Sequence, residues 1–330
     1  MKKFYIRKLF GRVLYIFSVT FLLVSCSSNK DTKHTITALK VGQGHLAVSG
    51  GNIWYNITGT GKGIPVVLLH GGPGFGSFYL KPFEDLGTDR QVIRYDQLGS
   101  GKSDMITDTV MFRIDHFVKE LDSLRVFLGL KKWHVFGHSW GTILALEYYR
   151  KYPDQVASLT FGSACFDIPT YEKRAKQLLT TLPDSLQIAI EKAEVNGNYE
   201  DPLYQEAMNK FYSMYLVRNP IQADMDSTWA TYNAGIYVYM FGPSEFTVTG
   251  TLKNYNATSF LPQINVPTLF TVGEFDEVGP ELVKSFSDKV PDSRYVLFLG
   301  SAHMTPWDAR DESIKVVREF LTSVDSLNNK

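Results

Sequence analysis

The segment GHSWG, residues 137–141, has the residue types of a serine nucleophile held in a tight turn. It stands where an apolar run ends and a helix-forming run begins, and its glycines allow the chain to turn sharply and expose the hydroxyl of Ser139. An ordinary turn is the alternative, but the position between a strand and a helix favours a nucleophile elbow. The spacing therefore predicts that Ser139 attacks an electrophilic carbon.

A serine hydroxyl needs a base to take its proton, and the base needs an anion to orient it. Where such an elbow lies on an α/β sheet, the chain order is serine, acid, histidine. His303, in GSAHM, follows the last strand-like run, and Asp276 follows the run before it, whereas every other histidine precedes Ser139. An exposed loop histidine is the alternative for His303, but order and position predict a base that Asp276 orients.

The segment HGGPG, residues 70–74, follows another apolar run and places glycines where a backbone must come close to a reacting group. A tetrahedral intermediate carries a negative oxygen, which backbone N–H groups stabilise. We expect the N–H groups of Gly72 and of Trp140, the residue after the nucleophile, to form this oxyanion hole. For the peptide alone, a simple Gly-Pro turn is the alternative.

Three acids stand within four positions in TVGEFDEVG, residues 271–279, namely Glu274, Asp276 and Glu277. Like charges this close repel one another and raise one another's pKa, so one of these acids is expected to have a partner elsewhere. Asp276 is expected to orient His303, and Glu274 is expected to be solvated.

Alternating strand-like and helix-like segments position these residues. Short apolar runs bounded by Gly, Pro or Asp indicate parallel strands buried on both faces, and LAVSGGNIWYNITG predicts a hairpin that turns at Gly-Gly. One helical stripe is formed by Phe117, Leu121, Leu124 and Leu128. The alternation predicts an α/β fold with a mostly parallel sheet and helices on both faces.

Residues 166–258 interrupt this alternation because they are helix-prone and contain no convincing strand–helix unit. They predict an inserted helical cap, with the core formed by residues 37–165 and 259–330. Within the cap, the aromatic stretch at residues 229–241 either lines a pocket for an apolar or prolyl side chain or forms the cap's own core.

The first 25 residues have a basic start followed by an apolar run shorter than the roughly 20 residues that span a bilayer, which indicates a secretory signal peptide. Their LVSC ending resembles the lipobox of bacterial lipoproteins, in which the cysteine receives lipid. We therefore predict lipidation of Cys26, a tether over residues 26–36, and export to a membrane of the bacterial cell envelope, the outer membrane included. An ordinary secreted or membrane-anchored protein is the alternative.

Composition narrows the function classes. The chain has 330 residues, 44% of them hydrophobic, which is enough for a large core. Without residues 1–25 it has 29 basic and 34 acidic residues, and no basic block suggests a nucleic-acid partner. If Cys26 is lipidated, the remaining thiol is Cys165, which we expect to be a small buried residue, and no cysteine or histidine cluster suggests a metal.

The ordered set HGGPG, RYDQLGSGKSD, GHSWG, GPSEFTVTG, VGEFDEV and GSAHM resembles the proline iminopeptidase family of α/β-hydrolase serine aminopeptidases over roughly residues 40–320. The resemblance implies an α/β-hydrolase fold, a triad of Ser139, Asp276 and His303, and no cofactor. It also implies that Glu245 and Glu277 bind the free amino terminus of a peptide. Without the resemblance, Glu245 would be interpreted as an exposed cap acid. The leader departs from the many relatives that are cytosolic.

We therefore expect a serine aminopeptidase that releases an N-terminal residue, proline among the candidates, from short peptides through an acyl-enzyme. An esterase or lactonase on the same fold is the alternative, because fold and triad do not fix the acyl substrate. A non-catalytic surface-binding lipoprotein is a third class, but it would be expected to lack one of the chemical parts, and all of them are present. The sequence does not indicate an oligomeric state.

Overall fold

An eight-stranded sheet forms the centre of the computed structural model, which describes residues 38–328. In chain order the strands are β1 (Gly42–Val48), β2 (Gly51–Thr58), β3 (Gly63–Leu69), β4 (Arg90–Asp96), β5 (Trp133–His138), β6 (Val156–Gly162), β7 (Thr268–Gly273) and β8 (Ser293–Phe298). Across the sheet they lie in the order β1-β2-β4-β3-β5-β6-β7-β8. β2 pairs antiparallel with β1 and β4, and all other pairs are parallel.

Ten α-helices accompany the sheet in the described part of the chain. They are α1 (Ile114–Phe127), α2 (Trp140–Lys151), α3 (Ile168–Leu179), α4 (Asp184–Asn196), α5 (Pro202–Tyr215), α6 (Gln222–Ala230), α7 (Ala234–Met240), α8 (Pro280–Ser287), α9 (Thr305–Asp308) and α10 (Arg310–Asn328). Four 3₁₀ segments lie between them, at Ser77–Thr88, Thr109–Met111, Pro153–Gln155 and Thr258–Gln263. No helix within residues 38–328 has the length and apolar character needed to cross a bilayer.

Two apolar cores sandwich the sheet. Successive residues of a strand point to opposite faces, so Val67 and Leu69 of β3 pack in one core with α1 and α2. Val66 and Leu68 of the same strand pack in the other core with α10. The inner strands are consequently buried along their whole length, which explains their continuous apolar runs. The predicted α/β fold is confirmed.

The predicted hairpin is formed by β1 and β2. Val48 pairs with Gly51, and Gly50 between them has a φ of +99°, a conformation that favours glycine. This antiparallel pair extends one edge of the sheet away from the parallel strands.

Five helices, α3 to α7, lie between β6 and β7, in the segment that the sequence assigns to a cap. The chain enters and leaves this insertion at one place: Asp167 and Asn256 form an antiparallel bridge, and the N–H of Ala257 donates to the carbonyl oxygen of Phe166 at 2.9 Å. The described residues belong to one compact unit, so the domain boundaries given above stay predictions. The predicted signal peptide, with Cys26 and the tether, lies outside the described residues.

The carboxyl ends of β3, β5, β7 and β8 point to the same edge of the sheet because these strands are parallel. The segments that follow them carry the residues singled out above: residues 70–74 after β3, Ser139 after β5, residues 274–277 after β7 and His303 after β8. Ligands of open α/β sheets bind at this edge. The fold therefore gathers residues that are far apart in the sequence.

Candidate active site

Ser139 occupies a strained turn between β5 and α2. Its backbone has a φ of 56° and a ψ of −125°, a conformation that residues other than glycine rarely adopt. A Cβ atom at Gly137 would lie 2.2 Å from the carbonyl oxygen of Gly141, and a Cβ at Gly141 would lie 2.2 Å from that of Leu69. Both flanking positions therefore require glycine, and the turn that results presents Ser139 to two cavities.

His303 and Asp276 lie together beside this serine. The Nδ1 atom of His303 is 2.9 Å from Oδ1 of Asp276, which also accepts the N–H of Val278 at 2.9 Å. Both side chains are buried, and His303 lines the same two cavities as Ser139. With its Nδ1–H donated to a carboxylate, the imidazole keeps Nε2 as the nitrogen that accepts a proton.

His303 and Asp276 shift each other's pKa in opposite directions. Burial lowers the pKa of His303, but the charge of Asp276 and its hydrogen bond outweigh that effect and raise the pKa above its ordinary value. Burial raises the pKa of Asp276, but the charge and hydrogen bond of His303 bring it below its ordinary value. Asp276 is therefore ionised, and His303 is a stronger base than a free imidazole.

The segments holding Gly71 and His303 are joined by a chain of hydrogen bonds. The N–H of Gly71 donates to the Tyr79 hydroxyl at 2.6 Å, this oxygen lies 3.1 Å from Nδ1 of His138, and Nε2 of His138 lies 2.9 Å from the carbonyl oxygen of His303. Burial and the charge of His303 lower the pKa of His138 to about 3, so its ring is neutral. A neutral ring that donates from Nε2 accepts at Nδ1, so the chain has one direction.

Gly72 and Trp140 lie where the sequence places the oxyanion hole. Both line the cavity that also contains Ser139, and Gly72 has a φ of +110°. Trp140 begins α2, and the first N–H groups of a helix have no intrahelical acceptor. Within residues 38–328, neither N–H has a hydrogen-bond partner. Two free donors beside a nucleophile can hold a developing negative oxygen.

Gln97, which follows β4, joins two segments of the site by hydrogen bonds. It is not among the residues that the sequence analysis predicts for the site. Its backbone N–H donates to Nε2 of His70 at 2.9 Å and its side-chain amide donates to the His70 carbonyl oxygen at 3.0 Å. Its Oε1 atom accepts the indole N–H of Trp140 at 2.8 Å. One amide therefore ties the segment after β3 to the start of α2.

The three neighbouring acids have three different environments. Glu274 is exposed as expected, although its Oε2 accepts the N–H of Gly300 at 2.9 Å. Asp276 is held by His303. Glu277 is 0% exposed, and neither carboxylate oxygen has a hydrogen-bond partner in the described part of the chain.

Glu277 is the least stabilised of these acids. Its Oε1 lies 4.0 Å from Nδ1 of His303, whose proton is donated to Asp276. Burial, followed by the charges of Glu245 and Asp276, raises the pKa of Glu277 well above its ordinary value. A buried carboxylate without a partner costs free energy, which a bound cation would offset.

Glu245 reaches the site from the segment after α7. The Tyr237 hydroxyl donates to its Oε1 at 2.7 Å, and the Tyr171 hydroxyl donates to its Oε2 at 3.0 Å. The residue is partly buried and lines both cavities. Burial raises the pKa of Glu245, although the charge of His303 and the two tyrosines oppose this shift. Neither tyrosine is identifiable as a partner of Glu245 from sequence spacing.

Two cavities meet at Ser139, and they share Gly72, Glu245 and His303. The smaller cavity contains about 300 Å³ of empty space and the larger one about 510 Å³, and both values include space open to solvent. The other walls of the smaller cavity are Trp140, Ile143, Cys165, Ile168, Tyr171, Phe241 and Leu252. Cys165 is therefore buried, as expected, but it also lines the site.

The aromatic stretch at residues 229–241 contributes both to cavity walls and to the apolar core, and its role in binding a prolyl side chain stays a prediction. Trp229 lines the larger cavity and Phe241 the smaller one, whereas Ile236 and Met240 are buried in the apolar core.

Within residues 38–328, no group of three or more His, Cys, Asp or Glu side chains is arranged to hold a metal ion. The arrangement combines a nucleophile, a base and free N–H donors with carboxylates suited to a cation.

Comparison with known proteins agrees with this chemistry. A model of the alpha/beta hydrolase fold family matches residues 64–309. The chain is 40% identical to a proline iminopeptidase of Heyndrickxia coagulans over 285 residues, which cover 86% of this chain and 99% of that protein. It is 37% identical to one of Saccharolobus solfataricus over 300 residues, covering 88% and 96%. The crystal structure of a proline iminopeptidase from Mycobacterium smegmatis superposes with a TM-score of 0.80 at 30% identity, covering 87% and 100%.

The substitution Glu277→Gln removes the buried charge with little change of shape, and we expect it to stabilise the fold at high pH. The raised pKa means that the native protein keeps a proton which the unfolded chain releases above about pH 4.3, so wild-type stability falls as the pH rises. Glutamine does not titrate. Thermal unfolding from pH 5 to pH 9 should show an advantage for Glu277→Gln that grows with pH and reaches about 1–3 kcal/mol.

The matched control is Glu206→Gln, because Glu206 is an exposed acid on α5. Its unfolding temperature should follow the wild type at every pH. Parallel curves for wild type and Glu277→Gln would show that Glu277 has an ordinary pKa.

Proposed function

The chain belongs to the proline iminopeptidase family of α/β hydrolases and is a serine aminopeptidase, and we propose that it recognises short peptides by their free amino terminus. The proposal rests on the environment of Glu277, because both of its carboxylate oxygens are buried and have no hydrogen-bond partner within residues 38–328. A protonated amine is the complement that such a group requires.

Recognition of an amine also accounts for the grouping of acids. Glu245, Asp276 and Glu277 influence one another electrostatically, and of the three only Asp276 is hydrogen-bonded to His303. A substrate ammonium between Glu245 and Glu277 would lower the pKa of both carboxyl groups and offset their repulsion. An ester or lactone without an amine offers no such compensation.

The proposed reaction begins with the amino terminus at the two glutamates and the first carbonyl group above Ser139. The Ser139 oxygen bonds to the carbonyl carbon while Nε2 of His303 takes the hydroxyl proton. The carbonyl oxygen gains the electron pair and is held by the N–H groups of Gly72 and Trp140. Asp276 stays ionised and stabilises the imidazolium.

The intermediate then breaks its carbon–nitrogen bond, and Nε2 of His303 gives its proton to the leaving amine. The first residue remains as an ester on Ser139. Water repeats the sequence, with its proton taken by His303 and returned to Ser139, and this frees the first residue.

The smaller cavity supports an apolar first residue such as proline. Its walls include Ile143, Ile168, Phe241 and Leu252, against which an apolar side chain can pack. A prolyl amino terminus is a secondary ammonium with two N–H donors. Glu245 and Glu277 together provide acceptors for both.

We also propose that the protein is exported and held at a bacterial membrane by lipid on Cys26. Support comes from the basic and apolar leader and its LVSC ending. This segment lies outside the described residues. Two or more acyl chains would give stable attachment, whereas one chain binds a membrane only weakly.

Ser139→Ala and His303→Ala should each reduce turnover of an aminoacyl arylamide by on the order of 10⁴-fold, because each variant removes a group that acts on the reacting atoms. Circular dichroism should show an intact fold. Ser213→Ala is the control, since Ser213 is exposed on α5, and it should keep the wild-type rate. Folded Ser139→Ala or His303→Ala protein with near-normal rates would refute the assignment.

Glu245→Gln and Glu277→Gln should each lower kcat/KM for peptides with a free amino terminus by about 10- to 150-fold, which corresponds to about 1.5–3 kcal/mol for a lost charged hydrogen bond. Uncharged short acyl esters should lose much less, and Glu206→Gln should lose nothing on either substrate. N-acetylation of a good peptide should nearly abolish its cleavage. If the blocked peptide is cut as fast as the free one, the esterase or lactonase interpretation takes precedence.

Cys26→Ala should release the protein from the membrane, because it removes the acceptor of the lipid. Fractionation of expressing cells and mass spectrometry of the purified protein measure both attachment and added mass. A Ser27→Ala variant, which leaves the cysteine in place, is the control. Unchanged attachment and mass in Cys26→Ala would rule out the lipoprotein interpretation.

A further inference from the structure

We propose that the larger cavity binds the side chain of the second peptide residue and selects apolar leaving groups. This inference rests on the proposed aminopeptidase function and names the class of peptide that the site prefers. It follows from the chemical difference between the two cavities that meet at Ser139.

We place the first residue in the smaller cavity because a hydrogen-bond partner of Glu245 forms one of its walls. Tyr171, a wall of the smaller cavity only, holds Glu245 by a hydrogen bond of 3.0 Å. Burial raises the pKa of Tyr171, and the charges of Glu277 and Glu245 raise it further. A peptide whose amine lies there has its first side chain in the smaller cavity and its remainder on the other side of Ser139.

The larger cavity lies on that other side. Its walls beyond the shared residues are almost entirely apolar, and they include Phe75, Leu216, Val217, Met225, Trp229 and Met304. No lysine, arginine or aspartate lines it, and its titratable walls are Glu245, His303, Tyr79 and the neutral His138. Several of these apolar side chains keep part of their surface exposed, with Trp229 at 44%. Such surface gains free energy when an apolar ligand covers it.

The base connects this cavity to the leaving group. His303 must give its proton to the amine nitrogen of the second residue, so that nitrogen lies at His303. The next residue, Met304, is a wall of the larger cavity, and its N–H donates to the carbonyl oxygen of Leu216, another wall, at 2.8 Å. The side chain of the second residue, on the carbon bonded to the leaving nitrogen, therefore contacts the apolar walls of the larger cavity.

The test is a series of peptides with one fixed first residue, taken from a panel of aminoacyl arylamides, and a second residue that is Gly, Ala, Leu, Phe or Asp. For wild-type protein we expect kcat/KM for the Leu and Phe peptides to exceed that for the Gly peptide by about ten- to a hundredfold. The Asp peptide should be the poorest, because its carboxylate loses water in an apolar cavity beside Glu245.

Two variants assign the preference to the cavity. Met225→Asp and Trp229→Ala should each reduce the Leu-to-Gly ratio of kcat/KM at least about fivefold. Met105→Asp is the matched control, since Met105 is 57% exposed and lines neither cavity, and it should keep the wild-type ratio. If Met225→Asp does not fold, Trp229→Ala measures the same ratio from another wall.

Three results would overturn the inference. Equal kcat/KM for all five second residues, with free peptides still cut, would refute it and leave the proposed function intact. An apolar preference that persists unchanged in folded Met225→Asp and Trp229→Ala would show that another surface selects the second residue. Hydrolysis of short acyl esters but of no peptide would refute the proposed function, and the inference with it.

Discussion

The site depends on three neighbouring acidic side chains around a single imidazole ring. Glu245, Asp276 and Glu277 interact electrostatically, but of the three only Asp276 is hydrogen-bonded to His303. Two tyrosine hydroxyl groups donate hydrogen bonds to Glu245, whereas Glu277 has no hydrogen-bond partner in the described part of the chain. The same charges that make Glu277 costly raise the pKa of His303 and so strengthen the base. The proposed substrate binding and proton transfer therefore depend on the same group of acidic side chains.

The sheet makes this arrangement possible because it fixes the ends of its strands. The close approach of Gly141 to Leu69 forces the turn at Ser139, and the parallel register of β7 and β8 brings Asp276 beside His303. Hydrogen bonds through Gln97 and through Tyr79 and His138 then connect the separate segments. Catalytic groups that act within a few tenths of an ångström require such support.

The sequence predicts the parts of the site whose geometry is local or follows from chain order. The fold, the elbow at Ser139 and the positions after β7 and β8 follow from short apolar runs, glycines and order. The tyrosines that hold Glu245, the brace by Gln97 and the wall formed by Cys165 could not be predicted, because they depend on contacts between segments far apart in the chain. Glu274 has the expected exposure, but its bond to Gly300 depends on how two loops pack. The leader is readable only as a pattern, since it lies outside the described residues.

The bridge between Asp167 and Asn256 brings the two ends of the predicted cap together. A segment that begins and ends at one place can be exchanged without a change in the order of the strands. Ser139, His303 and Asp276 lie outside this segment and would keep their positions. Glu277 stays with the sheet in such an exchange, whereas Glu245 travels with the cap. Loss of the cap's glutamate would therefore leave a hydrolase with half of the proposed amine site, and changes in this one insertion would shift the preference between peptides and uncharged acyl compounds.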